Sequence, residues 1–278
     1  MHLYRFPDQI CLFSDNQWYL SPIEDWDQLI NRQHLHSFLL ELLKDCQTIE
    51  APQALPLAPI GQQEVWASGV TYLRSKVARM EEAKNAGGGD FYDRVYDADR
   101  PEIFFKASPQ RVVGPGGNLH IRRDSSWDVP EPELTLFVST EGSIEAYTIG
   151  NDMSSRSIEG ENPLYLPQAK TYDACAGLGP CLFVPPQAIS SETQISMKIK
   201  RESEIVFADQ IALTQMKRQL PELVDYLYRE CSFPHGSFLM TGTGIIPPDE
   251  FSLQVGDQVE IEITGIGILQ HNITYRQD

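Results

Sequence analysis

The stretch Trp127-Asp128-Val129-Pro130-Glu131-Pro132-Glu133-Leu134-Thr135-Leu136-Phe137-Val138 decides how the rest of this chain is read. Side chains alternate faces along a strand, so Glu131 and Glu133 share one face. Leu134, Leu136 and Val138 then take the opposite face, toward a core. Pro132 has no N–H, which suits the entrance or edge of a strand. Two carboxylates on one face, at the mouth of an apolar strand, repel each other unless something positive lies between them. A hard divalent cation with oxygen ligands meets that demand. The plainer reading is two solvated glutamates on an edge strand, and it fits most pairs of this spacing.

The next segment bears on the choice. Glu145-Ala146-Tyr147-Thr148-Ile149-Gly150 has the pattern of an antiparallel partner, joined to the first strand by a turn at Glu141-Gly142-Ser143. It runs into Asn151-Asp152-Met153-Ser154-Ser155-Arg156. A hairpin of this length would return Asp152 to the end where Glu131 and Glu133 lie. Three carboxylates complete one side of an octahedral site and leave positions for water or substrate. With no His or Cys involved, Mg2+ or Mn2+ is favoured over Zn2+.

Around this hairpin the chain reads as a globular protein. Its 278 residues, 41% hydrophobic and 22% charged, allow one large domain with a small one beside it. The net charge of −17 argues against nucleic acid and against an anionic membrane surface as partners. No signal-type apolar run opens the chain, and no stretch approaches roughly 18 uninterrupted apolar residues. Five cysteines, odd in number and without a CxxC pair, suit free thiols in a reducing, cytoplasmic setting.

The segment around Ile10–Phe13 and Trp18–Leu20 reads as a hairpin. Ser21-Pro22-Ile23-Glu24 fits a helix start, with Leu35, Phe38, Leu39, Leu42 and Leu43 as its apolar stripe. Pro52, Pro56 and Pro59 mark a linker, so the expected division is a small N-terminal α+β domain over residues 1–58 and a catalytic domain over 59–278. Short strand candidates follow, among them 182–184, 194–199, 259–263 and 268–274, interrupted by one helix near 220–230. Long helices do not alternate with strands, so the fold class expected is α+β and mostly β, a rolled or sandwiched sheet. The charged segment from Ser75 to Asp99, broken by Gly87-Gly88-Gly89, reads equally as a lid or as a solvated loop.

Several motifs occur together in a familiar order: Pro101-Glu102-Ile103-Phe104-Phe105-Lys106, Glu131-x-Glu133, Asn151-Asp152-Met153-Ser154-x-Arg156, Lys170-x-Tyr172-Asp173, Gly179-Pro180, Thr241-Gly242-Thr243 and Gly256-Asp257. In this the chain resembles the fumarylacetoacetate hydrolase family over roughly residues 64–275. The resemblance implies that family's mixed β-roll or sandwich and a catalytic metal on Glu131, Glu133 and Asp152. It implies Mg2+ as that metal, with Mn2+ or Ca2+ as alternatives. It further implies a small 2-oxo acid as substrate and a homodimer or homotetramer as the assembly.

Members that cleave carbon–carbon bonds carry Gly-x-Asn-Tyr-x-x-His, whose His belongs to a water-activating pair. Here the stretch is Gly69-Val70-Thr71-Tyr72-Leu73-Arg74-Ser75, and Ser75 stands at the His position. A hydroxyl cannot replace imidazole as a base near neutral pH. The run from Asn151 to Lys170 instead resembles the 2-keto-3-deoxy-arabinonate dehydratase-like branch, which dehydrates 2-keto-3-deoxy sugar acids in carbohydrate catabolism. The 19 positions from Glu133 to Asp152 (152 − 133) suit that branch.

The implied chemistry is enolate formation on a metal-chelated 2-oxo acid, then loss of the C4 hydroxyl as water. Lys170 is the first candidate to take the C3 proton or stabilise the enolate, because an ammonium beside a cation sheds its proton more easily. A surface lysine is its plainer reading. Glu102 is a second acid/base candidate. Thr241 and Thr243 are expected at the substrate carboxylate and Arg156 beside the metal ligands; Lys106, Arg74 and Ser75 are expected toward the rest of the substrate. The competing enzyme is an acylpyruvate or 2,4-diketo acid hydrolase or decarboxylase on the same metal, with Glu81 or Glu82 as base. A catalytically silent metal-binding scaffold is the remaining alternative.

Overall fold

The protein's computed structural model describes residues 1–82 and 94–277, without the side chains of residues 78, 79, 81 and 82. Among the described residues, eleven strands form one mixed sheet. Its order is β4 (Gln47–Ile49), β3 (Gln17–Leu20), β2 (Ile10–Ser14), β1 (His2–Arg5), β13 (Ala176–Phe183), β11 (Ile144–Asp152), β10 (Pro132–Val138), β16 (Ser237–Met240), β5 (Glu64–Gly69) and β6 (Glu102–Ala107), with β7 (Val112–Val113) alongside β13. A second sheet runs β15 (Glu204–Ala212), β14 (Gln194–Arg201), β17 (Gln258–Ile263), β18 (Gly267–Tyr275) and β8 (Asn118–Ile121). A short ribbon pairs β9 (Asp128–Val129) with β12 (Ser154–Ser155).

The two sheets pack face to face. Leu134, Leu136 and Ile149 of the large sheet meet Met197, Ile199, Val259, Ile261 and Leu269 of the smaller one in a single apolar cluster. The other face of the large sheet, with Phe137, Ala146, Leu178, Leu182 and Phe238, is covered by Leu29, Leu35 and Leu39 of two N-terminal helices. Strand β10 is therefore buried along its whole length and on both faces. It is an interior strand, and Pro132 sits at its entrance, where a missing N–H costs little.

Those helices are α1 (Trp26–Ile30) and α2 (Leu35–Leu42). The expected start at Ser21 does not form. The Ser21 hydroxyl is engaged with the Ile23 backbone, and Asp25 caps α1 by accepting from Gln28 N–H at 2.8 Å. Asp25 directly precedes the buried stripe Trp26, Leu29 and Ile30, so the cap follows the apolar face. His34, with φ 56°, breaks the run, and α2 takes its N-terminal acceptor from Glu145, 2.9 Å from Leu35 N–H. Further helices among the described residues include α3 (Leu73–Glu82), α4 (Arg156–Glu161), α5 (Leu166–Lys170) and α6 (Leu220–Tyr228). The last matches the helix expected near 220–230.

The strands before and after residue 58 belong to one sheet, joined where Leu3 pairs with Leu182. Of the lid candidate, residues 75–82 continue α3, residues 83–93 with Gly87-Gly88-Gly89 lie outside the described residues, and so do the side chains of Glu81 and Glu82. No helix among the described residues is long and apolar enough to cross a membrane.

Candidate active site

The site is built on the β10–β11 hairpin. Glu131 and Asp152 face each other across it, each N–H donating to the other's carbonyl at 3.2 and 2.9 Å. Directly opposed residues place their side chains on the same face, and Glu133 follows two positions on. One carboxylate oxygen from each of Glu131, Glu133 and Asp152 lies within 4.8 Å of the others, and all three residues are buried.

Cations surround two of the three. Lys170 Nζ donates to Glu131 Oε2 at 2.6 Å and to Asp152 Oδ2 at 3.0 Å. Arg156 Nη2 donates to Glu131 Oε1 at 2.7 Å. Lys106 Nζ stands 2.7 Å from Asp152 Oδ1. That last contact is an ion pair rather than an aligned hydrogen bond, because Oδ1 has no donor in hydrogen-bonding geometry. Glu133 accepts from Gly242 N–H and, among the described residues, has no ion-pair partner. Burial first, then the charges of Asp152 and Glu131, push its carboxyl well above the usual carboxylate range.

These observations fit a hard divalent cation. The donor set is all oxygen, and the carboxylate form of Glu133, disfavoured by burial and by Asp152 and Glu131, is the form that a cation between the three would favour. The residues that could hold such an ion are Glu131, Glu133 and Asp152.

A narrow cavity opens beside the carboxylates. Its wall includes Ser68, Gly69, Phe104, Arg156, Lys170 and Thr243. Ser75 also lines it, but the Ser75 hydroxyl donates to Tyr72 O at 2.7 Å and accepts from Tyr72 N–H at 3.2 Å. Glu102 is not on the cavity wall; it lies opposite the wall residue Gly69 in the β5–β6 pair, its carboxylate where a side chain on residue 69 would begin.

Other expected substrate contacts are placed elsewhere. Arg74 pairs with Asp209 at 2.9 Å and is not on the cavity wall. Lys106 is wholly enclosed, its ammonium turned to Asp152, Met153 O and Lys170 O. Thr241 is buried with its hydroxyl on Leu134 O at 2.8 Å. The Thr241-Gly242-Thr243 stretch does bind a carboxylate through backbone N–H, but it is that of Glu133. Gly242, at φ +92°, has Thr71 Oγ1 2.1 Å from where a Cβ would sit, so only glycine brings that N–H so close. Phe104 and Ser68 were not foreseen. Phe104 lies two positions from Glu102 on the same strand face, and that spacing was the available signal.

A search against protein families matches residues 65–274 to the fumarylacetoacetate (FAA) hydrolase C-terminal model. A protein of Haloferax volcanii named a probable 2-keto-3-deoxyxylonate dehydratase is 49% identical over 217 residues, 78% of this chain and 74% of that protein. The 2-dehydro-3-deoxy-D-arabinonate dehydratase of Saccharolobus solfataricus is 42% identical over 213 residues, 76% of this chain and 72% of that one. Among solved structures, a 2-keto-3-deoxy-D-arabinonate dehydratase complexed with magnesium and 2,5-dioxopentanoate superposes over the full length of both chains. Its TM-score is 0.88 and its identity 34%.

Proposed function

The chain belongs to the fumarylacetoacetate hydrolase family, and from that premise we propose that it is a Mg2+-dependent hydro-lyase acting on a 2-keto-3-deoxy pentonate. The observation that carries this reading is the convergence of three buried carboxylates beside a lysine, in a chain 42% and 49% identical to two sugar-acid dehydratases. Arabinonate- and xylonate-derived substrates of this type can differ only at C4, the one stereocentre left once C2 is a ketone and C3 a methylene.

Glu131, Glu133 and Asp152 would hold the ion. When bound, Mg2+ supplies positive charge to a 2-oxo carboxylate and Lewis acidity at its carbonyl. Lys170 is the proton-exchanging group proposed for C3. On the cavity wall the three carboxylates are committed to the cation, guanidinium does not deprotonate, and the Ser75 hydroxyl is taken by backbone. Glu102, packed against the wall residue Gly69, is proposed to deliver a proton to the departing C4 hydroxyl. Thr243 lines the cavity, but its hydroxyl donates to Ile245 O at 3.3 Å and accepts from Ile245 N–H at 3.2 Å; Arg156 orients Glu131.

The balance of atoms follows. The C3–H and C4–O bonds break, a C3=C4 double bond forms, and the hydroxyl leaves as water. A proton then leaves C5 and one returns to C3, giving a C4=C5 enol, which loses its hydroxyl proton as C4 takes one up, leaving an aldehyde at C5. The product, 2,5-dioxopentanoate, is the compound named with the structural neighbour. Free buried thiols at Cys11, Cys175 and Cys181 favour a reducing cytoplasm for this chemistry.

Hydrolysis of an acylpyruvate is less well supported, because Ser75 stands at the His position and its hydroxyl is held by the Tyr72 backbone. One assay separates the two readings. Purified protein with Mg2+ is expected to release an aldehyde from 2-keto-3-deoxy-pentonate and to lose that activity with a chelator. Pyruvate from an acylpyruvate, with no aldehyde from the sugar acid, would overturn the dehydratase reading.

A further inference from the structure

Lys106 is a fully buried ammonium away from the cavity wall, and burying a charge is costly unless its partners are specific. Its partners come from two segments, the end of β11 with Met153 just after it, and the end of α5. It donates to Met153 O at 2.9 Å, donates to Lys170 O, and pairs with Asp152 Oδ1 at 2.7 Å. Lys170 is the last residue of α5, a five-residue helix whose terminal carbonyls have no partner within the helix. A cation at that end satisfies a carbonyl and complements the local dipole.

The strand is shaped to deliver this side chain. Along β5–β6, Gly69 pairs with Glu102 and Trp66 with Phe105, but Val65 pairs with Ala107. Lys106 is thus the extra residue of a β-bulge, a feature that re-aims side chains beside functional sites.

We propose that Lys106 is a positioning residue, tying the Asp152 carboxylate to the end of the helix that carries Lys170 so that cation ligand and proton-exchanging amine are held as one unit. The proposal rests on the reading of Glu131, Glu133 and Asp152 as Mg2+ ligands. It separates two consequences that charge alone would not. Removing a cation beside a ligand should, by electrostatics, tighten Mg2+ binding; loss of ligand positioning should weaken it.

Lys106→Met and Lys106→Gln, with near-UV circular dichroism as the check on folding, decide between them. Isothermal titration of Mg2+ without substrate is expected to show a Kd raised by about 10-fold or more over the parent, the range seen when groups orienting a metal ligand are removed. At saturating Mg2+, kcat is expected to stay about 10-fold or more down with substrate KM within about threefold, because the Lys170 amine is displaced while the rest of the cavity wall is kept. A folded variant that binds Mg2+ as tightly as the parent, or more tightly, overturns the assignment. Failure of both variants to fold also overturns it, since the ammonium would then serve the fold as a whole. A parent that binds no Mg2+ would instead sink the metal reading itself, a distinct result.

Discussion

At Glu133 the interests of folding and of the site oppose each other. Its carboxyl is raised by burial and by two acidic neighbours, so the folded state holds its proton to higher pH than the unfolded chain does. The unfolded chain therefore binds fewer protons as pH climbs, and the metal-free protein loses stability through that range. Glu133→Gln removes the charge and keeps an acceptor for Gly242 N–H. Without metal at pH 7–8 the variant is expected to melt above the parent, by on the order of 2–4 °C for each kcal/mol relieved. The difference should shrink as pH is lowered, and Mg2+ should raise the melting temperature of the parent only. Equal melting curves without metal would refute the charge conflict. The pair at 131 and 133 was legible because alternation in a strand is local geometry. The raised carboxyl was not, because it depends on which cations fold back onto which oxygen.

Element by element, the strands were easier to read than their ends. Candidates at 134–138 and 145–149 became Pro132–Val138 and Ile144–Asp152, since pairing across the hairpin extends each strand toward the site. The helix start moved from Ser21 to Asp25 because the buried stripe begins at Trp26. No local pattern foretold the bulge at Lys106, which is a property of two strands in register. The β5–β6 pair also offers a test of Glu102. A Cβ on Gly69 would lie 2.0 Å from Glu102 Oε2, the movable end of a side chain. Gly69→Ala should fold normally and shift that carboxylate by about 1 Å or more, lowering kcat by about 10–100-fold. An unchanged kcat in the folded variant would remove Glu102 from the mechanism.

For the molecule as a whole, residues 1–58 share more with the rest than a linker of three prolines suggests. Leu3, Leu12, Leu29, Leu35 and Leu39 sit in one core with Phe137, Leu178, Leu182 and Phe238, and β1 continues the large sheet from β13. Deleting residues 1–58 would bare that face and open β13 as an edge. The truncated chain is expected to aggregate or to lose its near-UV circular dichroism signal; a soluble, cooperatively melting product would show that the catalytic part folds alone.

By itself the sequence determined the mostly β class, the three converging carboxylates and the family. The first two depend on short-range rules: strand alternation, turn chemistry, and the demand that paired buried acids meet a cation; the family rests on the resemblance of its motifs. Tertiary structure alone decided which cation serves which carboxylate, that Arg74 pairs with Asp209 away from the cavity, and that Lys106 lies behind the site instead of in it. Those choices are made by segments far apart in the chain, whose meeting is set by the packing of two sheets and no longer by the spacing of residues along one of them.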